Sequence, residues 1–137
     1  MPTPTATGVR DALIFHAAFF IVAIPVALTV RGPSLGMALM VLAAGYNLLL
    51  PALGFVRGHR NWVGLWAFLV PVSLALPCAD WMLVERMQTL QFPDHGAPRL
   101  GGVVPVYFMG LWIMLLWPLC WLALATKRPY VTAAVLG

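Results

Sequence analysis

Asp80 lies near the end of a long apolar run, three residues after Pro77 and seven after Ser73. A charged side chain at the middle of a membrane helix costs roughly 2.5–3.5 kcal/mol on insertion scales, so such a residue needs a partner, a proton or water. Ser73, Pro77 and Asp80 share one helical face at i, i+4 and i+7. Pro77 has no N–H to give the Ser73 carbonyl, which leaves an acceptor for a protonated Asp80. An ionised Asp80 needs a basic partner instead, and Arg99 is the natural one. Glu85, five residues on, falls about 140° around the helix at 100° per residue. The two carboxylates therefore do not form an acid/base dyad, and Glu85 beside Arg86 reads as a helix-end charge.

Residues 91–102 read Gln-Phe-Pro-Asp-His-Gly-Ala-Pro-Arg-Leu-Gly-Gly. Two prolines and three glycines within ten residues make this a shaped turn. It carries Asp94, His95 and Arg99 on the side where Asp80 emerges. Carboxylate, imidazole and guanidinium converge only here, so Asp80, Asp94, His95 and Arg99 form the candidate catalytic cluster, suited to proton transfer. The plainer alternative is that Asp94 and Arg99 pair to fix the loop and His95 is solvated.

Tyr107, Met114, Trp117 and Trp121 recur at i, i+7, i+10 and i+14, one face of a helix. They are the candidate ligand-binding wall, although such a stripe more commonly packs a core. On that reading Leu115, Leu119 and Leu122 face lipid. His16 sits about one turn inside another apolar run, with Asn47 as its candidate partner. His59 reads as surface, and His95 belongs to the opposite side. The three histidines therefore make no single metal site, bis-His haem has no second ligand, and no motif names a cofactor. Cys78 and Cys120 read as buried apolar fillers at depths differing by roughly 15 Å at 1.5 Å per residue, too far apart for a disulfide.

The elements that must position these residues follow from composition. The chain has 137 residues, 62% hydrophobic and 9% charged, with mean hydropathy +0.92. A soluble domain carries about a quarter charged residues, and this chain has too few to clothe a wet surface. Four apolar stretches reach the roughly 20 residues that cross a hydrocarbon core: 12–30, 35–56, 62–84 and 103–126. They are continuous, without the dyad alternation of barrel strands. The first exceeds a signal-peptide core of about 7–15 residues and reads as a retained span. The short connections at 31–34 and 57–61 set neighbours antiparallel. Every span contains proline, at Pro25, Pro51, Pro71, Pro77, Pro105 and Pro118, of which Pro105 also suits a first helical turn. The expected fold is an all-α integral membrane protein, a single four-transmembrane-helix antiparallel bundle with proline-kinked helices.

Orientation follows the basic residues. Arg10, Arg57, Arg60, Lys127 and Arg128 collect on one side, and Arg31, Arg86 and Arg99 on the other. That bias places both termini in the cytoplasm and residues 85–102 outside, in a cell membrane. Basic residues scattered at span ends do not form a nucleic-acid surface. Two functions remain in view. One is binding of, or action on, a lipophilic molecule (isoprenoid, quinone or lipid) through the outer polar cluster. The other is a non-catalytic accessory or assembly subunit of a larger membrane complex, or a homo-oligomer. A transporter is disfavoured, because the middle of the spans lacks an ionisable coupling residue.

Overall fold

A computed structural model describes residues 5–126. Four helices make up most of it: α1 (Ala6–Thr29), α2 (Pro33–Val56), α3 (Arg60–Glu85) and α4 (Phe108–Thr126). All four are long and apolar enough to cross a membrane. Between α3 and α4 lies a two-stranded antiparallel ribbon of β1 (Arg99–Leu100) and β2 (Val104–Pro105).

Local chemistry sets the helix ends. Thr5 caps α1, its hydroxyl accepting from Gly8 N–H at 3.1 Å. Gly32, at φ +62°, turns the chain into α2, which opens on Pro33. Proline suits that first turn because its missing N–H would have had no helical partner. Gly101 and Gly102, at φ +55° and +78°, make the turn of the ribbon and bring Trp81 of α3 against Gly101.

The ribbon corrects the expected start of the fourth span. Residues 103–107 precede α4, and Pro105 lies in β2 paired with Arg99, not in a helical turn. Strands of two residues leave no periodicity to detect. The first helix also starts earlier than expected, so Arg10 and Asp11 lie inside α1.

Large apolar side chains are abundant outside as well as inside. Ile21, Leu48, Phe55 and Val56 are exposed, as expected where lipid is the solvent. The core is built around Tyr46, Leu50, Trp62, Leu65, Ile113 and Trp117. One face of α3 supplies Trp62, Leu65, Leu69, Ser73, Pro77 and Asp80 to the interior. The Ser73 hydroxyl donates to the Met109 carbonyl, joining α3 to α4. Gly110 lets α4 approach α2 closely, since a Cβ there would meet Asn47 and Ala43.

Candidate functional site

The loop at 91–98 is a docked cap. Gly36 N–H, one of the first-turn donors of α2, bonds the His95 carbonyl at 2.7 Å. Added methyl groups at Gly36 or Gly96 would collide with the facing backbone, so the two segments touch main chain to main chain. Asp94 Oδ1 accepts from Gly96 N–H at 3.0 Å, closing its own turn, and lies 3.7 Å from Arg99 Nη2. Arg99 donates to the carbonyls of Phe92, Pro93 and Val103 at 2.9–3.3 Å. Its guanidinium therefore ties the loop to the ribbon.

Asp80 does not join them. It is buried, its Oδ2 has no hydrogen-bond partner among the described residues, and the expected ion pair with Arg99 does not form. The reason is geometric: Arg99 is surrounded by main-chain oxygens of its own loop, which are nearer and need no helix to move. The four candidate catalytic residues thus separate: Asp94, His95 and Arg99 tie the loop to α2 and the ribbon, and Asp80 stands apart as a buried carboxyl.

Beneath the ribbon, an open and almost wholly apolar groove of about 350 Å³ runs between α2, α3 and α4. Met40, Ala44, Val70, Leu74, Tyr107 and Ile113 are among its walls. Asn47 also lines it and ties three helices together: its amide donates to Ala43 O (2.8 Å) and Gly110 O (3.1 Å) and accepts from Trp66 Nε1 (3.2 Å). Tyr107 is only 7% exposed as a residue, and its hydroxyl, which is not fully enclosed, makes no hydrogen bond among the described residues.

The other aromatic candidates lie elsewhere. Trp117 is fully buried and Trp121 nearly so, while Leu115 and Leu122 are exposed. Trp117 stacks on Trp121 at 5.2 Å and on His16 at 5.2 Å, and Trp62 meets both tryptophans edge-on. Met114 packs at the margin of this core. A narrower apolar cleft of about 160 Å³ between α1 and α4 runs along His16, Phe20, Trp117 and Trp121. Tyr107 and the Trp117–Trp121 pair therefore line separate cavities.

His16 is not bonded to Asn47. Its Nδ1 lies 2.7 Å from the Ala12 carbonyl and its Nε2 lies 2.8 Å from the Tyr46 hydroxyl. A carbonyl only accepts, so Nδ1 donates and Nε2 accepts the phenolic proton. Both ring nitrogens are engaged, which leaves none for a metal or haem. Among the described residues, no group of three or more His, Cys, Asp or Glu is placed to hold a metal ion.

At the far end from the ribbon, Asp11 gathers three basic side chains. Its Oδ2 accepts from Arg57 Nε and Nη2 (3.1 and 2.9 Å) and from His59 Nε2 (3.0 Å). Its Oδ1 accepts from Arg10 at 3.3–3.4 Å. His59, expected at the surface, is largely covered and tilts over Trp62. Cys78 is exposed on α3, not a buried filler, and Cys120 is half-buried; both are free thiols.

With this geometry in place, comparison with known proteins gives one result. A family model described as "Domain of unknown function (DUF6989)" matches residues 77–137. No curated protein and no solved structure matches the chain. The matched stretch starts within α3 and takes in Asp80, the docked loop, the ribbon, Tyr107 and α4. It leaves out α1 and α2, which supply Asp11, His16, Tyr46 and Asn47.

Sequence reasoning missed the Asp11 cluster and the His16–Tyr46 pair. Asp11 had a signal, being an acid at the edge of an apolar run beside Arg10, but its other two partners lie 46 and 48 residues away. Tyr46 carried no signal beyond its adjacency to Asn47.

Proposed function

We propose that the chain is a small polytopic membrane protein, an antiparallel four-helix bundle with both termini cytoplasmic, that binds a lipophilic molecule in the groove between α2, α3 and α4. One observation carries this reading: an open apolar groove of about 350 Å³ is lined by Tyr107, a largely covered residue whose hydroxyl has no hydrogen-bond partner among the described residues. An apolar cavity with one placed polar group is the usual form of a small-molecule site. The occupant then has a long or fused apolar body and one oxygen acceptor for the Tyr107 O–H, as in an isoprenoid alcohol, a quinone or a lipid ester. Asp94 and Arg99 support the site from above by holding the loop and ribbon, and Asp80 lies on the same side of the bundle.

The same opening favours a second reading, an accessory subunit of a larger membrane complex or a homo-oligomer. The small residue Ala44, exposed at the groove, leaves room for a close-packed helix.

Both readings meet one test. The protein is extracted from native membrane in mild detergent, and its organic extract is compared with those of Tyr107→Phe and Ala44→Phe. Ala44 is exposed, so the added ring fills the groove without entering the core. A bound molecule should fall about 2- to 10-fold in Tyr107→Phe, the worth of one hydrogen bond, and disappear in Ala44→Phe. Equal recovery from all three sinks the ligand reading. A polypeptide co-migrating with wild type and lost from Ala44→Phe selects the subunit reading.

A further inference from the structure

The ion cluster at the opposite end from the groove is a separate feature. Asp11 is the deep layer of that cluster, its side chain 8% exposed, while the side chains of Arg10 and Arg57 are 67% and 53% exposed. Both guanidiniums turn Nε and Nη2 toward Asp11. In neither does Nη1 make a hydrogen bond among the described residues. Two fixed positive charges face one covered carboxylate, leaving a net charge of one, to which His59 adds when protonated. Arg57 caps the end of α2, which puts the cluster at a membrane boundary.

A cavity of about 240 Å³ opens at this point, lined by Asp11, Ile14, Phe15, Leu53, Arg57 and Trp62. Its polar groups lie at the helix ends. Its apolar walls, including the exposed Ile14 and Leu53, continue into the span. Arg10 stands beside the cavity on Asp11 without lining it, so the rim is basic through Arg57 and Arg10 while the walls below are apolar, the profile of one lipid headgroup and the start of its chain.

We propose that this is a binding site for the phosphate of an anionic phospholipid, held by the free Nη1 edges of Arg10 and Arg57 with an acyl chain along Ile14 and Leu53. Planar guanidinium donors match phosphate oxygens in geometry and charge. Basic pockets between membrane helices recognise anionic headgroups in this way. Asp11 holds the two guanidiniums in place, so little side-chain freedom is lost on binding. A zwitterionic lipid offers the same phosphate but no net charge to offset the excess positive one. The site is independent of the Tyr107 groove, and either stands if the other fails.

The full-length protein, purified in non-ionic detergent, is measured by native mass spectrometry with phosphatidylglycerol or phosphatidylcholine added at equal concentration. One phosphatidylglycerol should be retained at least fivefold over phosphatidylcholine. Arg10→Gln leaves the Arg57–Asp11 pair intact and should cut that preference several-fold. Asp11→Asn with Arg57→Gln removes carboxylate and guanidinium together, so neither is left buried alone, and should abolish it. Arg86→Gln, at the other end of α3, should retain it. Inorganic phosphate at the same concentration should not displace the lipid, because it lacks the chain. No preference in wild type, full preference in Arg10→Gln, or complete displacement by inorganic phosphate each overturns the assignment.

Discussion

His16 of α1 and Tyr46 of α2 meet inside the protein, the tyrosine hydroxyl donating to Nε2 across 2.8 Å. The pair is enclosed by Phe15, Phe19 and Trp117. Away from water, a hydrogen bond between two otherwise unsatisfied groups specifies register, because any rotation of α1 leaves both unpaired. Tyr46→Phe keeps the ring and its packing but leaves Nε2 without a donor. The expected loss is about 1–3 kcal/mol, read as a lower midpoint on unfolding in detergent. His16→Leu with Tyr46→Phe removes both groups and should recover part of it. A double variant no better than Tyr46→Phe means the bond contributes nothing beyond packing.

The contact between Gly36 and the loop gives the second prediction. A Cβ at Gly36 meets the His95 carbonyl and the Ala97 backbone, neither of which is the free end of a flexible side chain. Gly36→Ala should therefore lift the loop at a cost of about 1–3 kcal/mol. It also breaks the 2.7 Å bond to the α2 amide. Limited proteolysis should find new cleavage between residues 91 and 98. Gly45→Ala is the control, since a Cβ there meets nothing and should leave the loop protected.

The legible and the hidden parts of this protein divide along a physical line. Apolar runs of about 20 residues report the solvent, so four helices long and apolar enough to cross a membrane could be read from the sequence, though not where the first and fourth start, and so could the burial of Trp117 opposite an exposed Leu115. The partner of a polar group depends on helix rotation. Asn47 and Tyr46 differ by one residue and about 100°, which decides that Tyr46 meets His16 while Asn47 joins Ala43, Gly110 and Trp66. The Asp11 cluster needs α2 and α3 to bring Arg57 and His59 back to α1, a closure with no local trace. Arg99 does lie beside a carboxylate, that of Asp94, but the carbonyls of Phe92, Pro93 and Val103 that take its hydrogen bonds are main-chain atoms, which are invisible in a sequence.

Orientation is tested by reporter fusions. Three basic residues, Arg10, Arg57 and Arg60, stand at the Asp11 end, and Lys127 and Arg128, expected on the same side, lie outside the described residues. A reporter after Gly137 should be active in the cytoplasm, and one after Gly96 outside it. The reverse pair of signals would place the Asp11 cluster on the outer face.

The last prediction separates Asp80 from Arg99. An ion pair between them would make Asp80→Asn and Arg99→Gln equivalent, each leaving a charge alone. The structure sets them apart: Arg99 donates to three carbonyls, whereas Asp80 Oδ2 is buried without a partner among the described residues. Arg99→Gln should therefore cost about 1.5–3 kcal/mol, the worth of hydrogen bonds to a charged group. Asp80→Asn removes an ionisable group from a low-dielectric site, so stability should hold or rise, on the order of 1 kcal/mol. Parallel unfolding curves in the same detergent decide it. A fall of similar size in both would restore the ion pair. A stable Asp80→Asn that has lost a bound molecule or an activity would instead show that the carboxyl is kept for function at a cost in stability.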